Sequence, residues 1–322
     1  MIATVTLNPA LDEEIVVDGL VVEESNRWVE LHRYAGGKGI DVSRAIHEMG
    51  GSTMAYGFIG GANGRILEIM LDEEGVQFSF TPIHEETRTN FIITDAKTGQ
   101  QTLIGAPGPQ ISERELERFT NKLRRVRPHP KLMALGGSVP PGVPADIYFT
   151  LITEARKVGV KSILDSAGHW LLEGIRARPF LVKPNVHEAE GLLARELGSE
   201  AALIDAALDL VEMGVEIAVI SRGKDGVIAA TSDCVVRAVP PPVNVVSAVG
   251  AGDCAIAGLA LTLERDGALP EACRLAVAMG SAAVQTPGTE LCQRDEVDRL
   301  LPLIEVTEMA AARGTRTLPA TP

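Results

Sequence analysis

The stretch Ser247-Ala248-Val249-Gly250-Ala251-Gly252-Asp253 runs directly into the apolar helical segment Cys254 to Leu263, and how it is read decides the fold. Gly250 and Gly252 let backbone amides approach a ligand closely, and the helix start behind them adds partial positive charge where a phosphate would sit. Asp253 stands at the mouth of that anion hole. A carboxylate there can take the proton of an attacking hydroxyl while the amides hold charge developing on a transferred phosphoryl group. The same residues also describe a glycine turn with Asp253 as the helix N-cap, which glycine spacing alone leaves open.

Two further segments have the same character. Ala35-Gly36-Gly37-Lys38-Gly39-Ile40-Asp41 is a glycine turn opening the helix Val42 to Met49. Lys183-Pro184-Asn185 is followed three residues on by Glu188, and Pro184 ends a strand there, so Lys183 and Asn185 project at a sheet edge. Such a lysine can meet phosphate oxygens, and such a carboxylate can orient the water ligands of magnesium. An ordinary strand-to-helix turn capped by Asn185 accounts for this segment equally well.

Outward from these turns, short β-branched or aliphatic runs alternate with stretches of helical period. Strands are expected at Ile2–Leu7, Thr53–Phe58, Lys131–Leu135, Ser162–Asp165, Phe180–Lys183, Ile217–Ser221, Gly226–Thr231 and Val235–Val239. Helices are expected at Ile40–Met49, Arg65–Glu74, Glu113–Arg127, Ala145–Val158, Glu188–Leu197, Ala201–Met213, Gly252–Glu264, Pro270–Val284 and Asp295–Ile304. That alternation predicts an α/β fold, a mostly parallel sheet covered on both faces, with ligands gathered at the carboxyl ends of its strands. Two stretches break the rhythm: Ile15–Val17 and Leu20–Val22 around Asp18-Gly19, and Asn90–Thr94 with Gln101–Ile104 around Lys97–Gly99. Both read as antiparallel ribbons and together predict a small β lid. The expected division is a main domain of residues 1–12, 35–86 and 106–322 and a discontinuous lid of residues 13–34 and 87–105. The tail Ala310–Pro322 is expected to fray.

The composition fits such a domain. The 322 residues are 45% hydrophobic, 23% charged and 4% aromatic, enough for an aliphatic core. With 30 Lys and Arg against 43 Asp and Glu, the net charge of −13 argues against nucleic acid or an anionic membrane as partner and leaves room only for a local basic pocket. The N-terminus has no basic n-region, and no run of about 18 apolar residues occurs, so a cytoplasmic protein is expected. Cys234, Cys254, Cys273 and Cys292 form no C-x-x-C pair and read as free, mostly buried thiols.

In this order the three turns resemble the ribokinase-like sugar kinases, also called the phosphofructokinase B family. The resemblance runs through Thr6-Leu7-Asn8-Pro9-Ala10-Leu11-Asp12, Gly36-Gly37-Lys38-Gly39, Thr87-Arg88-Thr89-Asn90 and Gly137-Ser138-Val139-Pro140-Pro141-Gly142. It continues through Asp165-Ser166, Lys183-Pro184-Asn185, Ser221-Arg222-Gly223 with Gly226, and Gly250-Ala251-Gly252-Asp253. It covers nearly the whole chain. The opening motif and the Pro-Pro-Gly turn are most similar to the branch of 6-phosphofructokinase, 1-phosphofructokinase and tagatose-6-phosphate kinase. Signals within the branch conflict: Pro240-Pro241-Pro242-Val243 and Gly288-Thr289 resemble the minor bacterial 6-phosphofructokinase, and Lys38 is more like 1-phosphofructokinase.

The resemblance implies a three-layer α/β/α sandwich with a β lid and an ATP-dependent kinase for fructose 6-phosphate or fructose 1-phosphate. Tagatose 6-phosphate, an unphosphorylated sugar or nucleoside, and a weakly catalytic phosphosugar sensor are the alternatives. It makes Asp253 the base, with Gly250, Ala251 and Gly252 forming the anion hole. Asp12, Gly37, Lys38 and Asp41 would contact the sugar, and Arg88, Ser138 and Arg27 would hold its phosphate, since guanidinium suits bidentate phosphate binding. Solvated lid charges are the alternative reading of Arg27 and Arg88, and the preferred one for Arg27. ATP would lie across Lys183, Asn185, Ser221, Gly223 and Gly226, with magnesium near Glu188 through water. A potassium ion would sit on carbonyls of Ser247, Val249, Ala283 and Gly288, and a homodimer would form through the lid. Two residues depart from the family pattern. Asp41 stands where Asn is usual, an acceptor-only contact that puts the sugar preference in question. Cys254 replaces a small hydroxyl residue, which reads either as an oxidation-sensitive thiol or as a packed small side chain.

Overall fold

A computed structural model describes residues 1–311. Its centre is β1 (Ile2–Thr6), all five residues buried. Because strand side chains alternate, Ile2 faces one core while Ala3 and Val5 face the other. The polar residue Thr4 shares the side of Ile2 and is satisfied by a hydroxyl chain, Thr4 to Ser43 at 2.8 Å and Ser43 to Thr53 at 2.7 Å.

Around β1 the main sheet places β4 (Thr53–Ile59) and β5 (Thr81–Pro82) on one side. On the other side follow β8 (Leu132–Gly136), β9 (Lys161–Asp165), β10 (Leu181–Val182) and β11 (Ile217–Ser221), all parallel. Three antiparallel strands extend this edge: β12 (Val227–Ala230), β13 (Cys234–Val239) and β14 (Glu305–Ala310). One face is covered by α1 (Lys38–Glu48), α8 (Ala251–Glu264) and α9 (Leu269–Ala283). The other carries α3 (Glu113–Arg124), α4 (Ile147–Lys157), α5 (Gly168–Arg176) and α7 (Glu200–Glu212). The result is the α/β/α sandwich with a mostly parallel sheet that the alternation predicts. Among the described residues no helix is long and apolar enough to cross a membrane.

The second sheet has four strands in the order β3 (Trp28–Gly36), β2 (Ala10–Val17), β6 (Arg88–Asp95), β7 (Gln101–Ile104). The β6–β7 ribbon forms around the expected turn. The ribbon across Asp18-Gly19 does not form. β2 instead pairs antiparallel with β3, and Leu20–Val22 lies in the connection between them, tied by Asn26 to the backbone of Val21. Leu20, Val21 and Val22 are exposed, so no buried face holds them as a strand. The last strand, β14, includes Ala310, which the tail reading assigned to frayed chain; residues 312–322 of that tail lie outside the described residues.

Candidate active site

The carboxyl ends of β1, β8, β9, β10 and β11 lie along one edge of the sheet; Ser138, Lys183, Asn185, Ser221 and Gly223 stand at or just after such ends in the chain, while Gly37–Asp41 follow β3 and Gly250–Asp253 follow β13. There α8 begins at Gly250, whose φ of 78° is open to glycine at little cost and whose side has no capping group. The amides of Asp253 and Cys254 donate to the Gly250 carbonyl at 3.1 and 2.9 Å. Ala251 and Gly252, the first two helical positions, keep amides that the helix itself cannot satisfy. Asp253 is therefore the third helical residue and not the N-cap, which removes the capping reading. Its side chain is buried, and Oδ1 has no hydrogen-bond partner.

Two lysines and a further aspartate surround it. Lys38, at the start of α1, places Nζ 2.9 Å from Asp165 Oδ2 and 3.6 Å from Asp253 Oδ1. Lys183, buried after β10, places Nζ 3.6 Å from Asp165 Oδ1. Asp165, the last residue of β9, thus lies between two ammonium groups. Burial alone would push its carboxyl up, but Lys183 and Lys38 together hold it below the usual carboxylate range. Burial works against the charge of Lys38, yet Asp165 and Asp253 outweigh it and keep the ammonium protonated well above its ordinary value. Asp253 is pushed up, first by burial and then by Asp165, with Lys38 and Lys183 pulling the other way. A carboxylate so placed is a stronger base than an exposed one.

The residues expected to contact a sugar form a second group. Asp12 on β2 accepts from Asn90 Nδ2 at 2.8 Å, and burial raises its carboxyl. It fits only because residue 36 is glycine: a Cβ there would lie 2.1 Å from Asp12 Oδ2. Gly37, with φ 119°, caps α1. Asp41, buried on the first turn of α1, is pushed well up by burial, then by Asp253, against the pull of Arg44. Arg88 at the start of β6 donates to Ala106 O at 2.6 Å and Asn8 O at 3.0 Å, while its buried Nε has no partner. Asn8 in turn donates to Ser138 Oγ at 3.0 Å, and Arg88 and Ser138 line one open cleft of about 570 Å³. Arg27 is not joined to this group by any contact: it is exposed on the β2–β3 connection, with no ion pair among the described residues.

At the third turn the capping reading of the sequence is met. Asn185 caps α6 (Val186–Leu193), accepting from Glu188 N at 2.9 Å, while Glu188 Oε2 accepts from Asn185 N at 2.8 Å. The other Glu188 oxygen is left for a water or cation, and Glu188 is near enough to Lys38 to support its charge. A bridge between Asn185 and Ser221 brings the Ser221-Arg222-Gly223 turn alongside, with Gly226 at φ 77° packed on Ala238. At the far side Ser247 Oγ faces two acceptors, Gly288 O at 3.2 Å and Gln101 Oε1 at 3.3 Å, for its single proton. That surplus of oxygen suits a cation. Val249 donates to the same Oγ, and the Ala283 carbonyl accepts from Thr286. Cys254 is fully buried; burial, then its neighbour Cys292, pushes its thiol well up, which fits a packed side chain and not a reactive one.

Asp165 and Arg44 were not singled out as site residues from the sequence. Asp165 appeared only within the Asp165-Ser166 match; Arg44 lies one turn after Asp41, spacing that places the two on one helix face.

Comparison with known proteins adds the family. A model described as pfkB family carbohydrate kinase matches residues 5–296. A 1-phosphofructokinase of Borreliella burgdorferi is 36% identical over 310 residues, covering 96% of this chain and 99% of that protein. An ATP-dependent 6-phosphofructokinase isozyme 2 of Mycobacterium tuberculosis is also 36% identical, over 96% of this chain and 91% of its own. The solved phosphofructokinase-2 of Escherichia coli, in complex with substrates and products, superposes with a TM-score of 0.90 at 33% identity, covering 94% of this chain and 98% of that one. The Escherichia coli protein has also been solved with fructose-6-phosphate, with potassium, and as a tetrameric inhibited form.

Proposed function

Because the chain belongs to the pfkB family of carbohydrate kinases, and so is a phosphotransferase with an alcohol acceptor, we propose that it phosphorylates a ketohexose monophosphate. The donor is ATP, the acceptor fructose 6-phosphate or fructose 1-phosphate, and the product fructose 1,6-bisphosphate. The observation that carries the reading is Asp253 Oδ1, buried and without a hydrogen-bond partner beside the first-turn amides of α8.

Asp253 takes the proton of the sugar hydroxyl as that oxygen bonds to the γ-phosphorus and the bond to the ADP oxygen breaks. Amides of Gly250, Ala251 and Gly252 receive the negative charge on the transferring group. Lys183, whose Nζ lies 3.5 Å from where a Gly252 Cβ would stand, faces the same point, and Lys38 reaches it from α1. Asn185, Ser221, Gly223 and Gly226 form the floor on which the nucleotide rests. Magnesium, held near Glu188 through water, neutralises phosphate charge when bound. Asp12, Gly37 and Asp41 hold the sugar; Arg88, through its unpartnered Nε, and Ser138 hold its phosphate, and Arg27, exposed on the lid connection, joins them only on movement of the lid. Potassium on carbonyls of Ser247, Val249, Ala283 and Gly288 steadies the loop next to the anion hole; equal rates in potassium and choline chloride would remove it.

We divide the described residues into a main domain of 1–12, 35–86 and 106–311 and a lid of 13–34 and 87–105. The two edge strands of the lid sheet expose Trp28 and Val29 on β3 and Leu103 and Ile104 on β7, each more than half accessible, and we assign the lid sheet as the contact surface of a homodimer.

The deciding experiment is a panel of fructose 6-phosphate, fructose 1-phosphate, tagatose 6-phosphate, fructose and ribose, scored by kcat/KM from coupled ADP release. The reading expects one of the two fructose phosphates to lead by orders of magnitude. A free sugar as the best acceptor, or tight sugar-phosphate binding with no ADP, refutes it.

A further inference from the structure

Arg44, on α1 one turn after Asp41, has a side chain only 9% exposed. Its Nε donates to Glu74 Oε2 at 2.7 Å. Its NH1 donates to two backbone carbonyls, Ala35 O at 3.3 Å and Thr289 O at 3.0 Å. Ala35 is the last residue before the Gly36-Gly37 turn that joins lid strand β3 to α1. Thr289 follows Gly288 in the loop after α9. One guanidinium nitrogen therefore ties together the lid root, helix α1 and that loop.

NH1 also lies 3.5 Å from Asp41 Oδ1. Both of its protons are already given to carbonyls, so Asp41 receives charge from Arg44 without a hydrogen bond. Asp41 Oδ1 is accordingly buried with no hydrogen-bond partner. Burial, Asp253 and Asp12 push the Asp41 carboxyl well up, and a nearby cation is needed to draw it back toward the charged form. Arg44 supplies that cation and still leaves the oxygen free for a ligand hydroxyl.

We propose that Arg44 is a positioning residue for the sugar, stabilising Asp41 by charge alone while fixing the lid root and the 284–291 loop around it. The proposal rests on the assignment of Asp41 to the sugar.

The test is a double-mutant cycle of Arg44→Met and Asp41→Asn, with KM for the best fructose phosphate, KM for ATP, and sugar-phosphate and ATP affinities by calorimetry. Arg44→Met should lower kcat/KM for the sugar phosphate about 100-fold, the order expected when one partner of a buried charge pair is removed, with ATP affinity changed less than about twofold. Adding Asp41→Asn should recover about tenfold of that loss, because the uncompensated carboxylate is gone. Equal loss of ATP and sugar affinity, or no recovery in the double variant, would show a merely structural role and overturn the proposal. If Arg44→Met does not fold, Arg44→Gln with and without Asp41→Asn gives the same reading, since an amide can still donate hydrogen bonds but carries no charge. Wild-type protein that turns over neither fructose phosphate refutes the substrate reading and the Arg44 assignment with it. Wild-type turnover without rescue refutes Arg44 alone.

Discussion

Asp165→Asn keeps the side-chain shape at the end of β9 but leaves the two ammonium groups it serves without their shared counter-charge. The two contributions differ in size. Lys183 is buried, and its Nζ has Asp165 at 3.6 Å as its ion-pair partner, so its charge is left with only the more distant Asp253 to compensate it. Lys38 is 37% exposed along its side chain and keeps Asp253 at 3.6 Å, so solvent and that carboxylate absorb most of its loss. Removing one partner of a buried pair costs about 3–5 kcal/mol, and with the Lys183 pair dominating we expect the lower figure, about 3 kcal/mol. At about 2 °C per kcal/mol for a chain of this size, Tm should fall by roughly 6 °C at pH 7. The pH dependence has a definite sign. Asp165 is held below its ordinary value in the folded protein, so its stabilisation is complete above the unfolded carboxylate pKa, about 4, and fades as pH falls through the lower folded value. The deficit of Asp165→Asn should therefore stay constant from pH 7 to about pH 5 and shrink only at more acid values. Thermal unfolding of both proteins across that range measures it. A variant within about 1 °C of wild type at pH 7, or a deficit that widens on acidification, refutes the reasoning.

Other consequences can be checked alongside. Gly36→Ala should raise the sugar-phosphate KM at least about tenfold and leave ATP binding intact, because its Cβ would displace Asp12 from Asn90; an unchanged KM contradicts this. Lys38→Met removes the largest influence that lowers Asp253, so the acid limb of kcat/KM should move to higher pH; a limb that stays or moves down counts against Asp253 as the titrating group. Trp28→Asp on the lid face should convert a dimer to a monomer in sedimentation velocity, and a wild-type monomer across the micromolar range removes the proposed interface.

Much of this fold was legible because its elements have strong local signals. The aliphatic runs and the glycine turns before α1 and α8 mark their own boundaries, and β1, β9 and β11 fall within a residue of the expected ends. What was missed has weak local signals. Helix α5 buries only Leu171, Gly174 and Ile175, too few to show a period, and opens with a glycine and no side-chain cap. Strand β14 is almost wholly exposed, and its pairing with β13 is what makes it a strand. The Leu20–Val22 run looked like a strand because its residues are β-branched or aliphatic, yet the partner of β2 lies beyond it in β3. At the site, the turn residues could be read singly because each carries its own glycine or proline. The roles of Asp165 and Arg44 come from neighbours: Asp165 matters because β9 lies between β8 and β10, which delivers Lys183 beside it and Lys38 above it. No spacing in the chain announces a contact across 127 residues.

The most direct measurement of the central claim is single-turnover phosphoryl transfer by Asp253→Asn, run with a calorimetric titration of ATP. The account predicts a rate lower by about 1,000-fold or more, with ATP affinity and Tm close to wild type, since the variant keeps shape and amides but cannot accept the proton. A rate within about tenfold of wild type would contradict it.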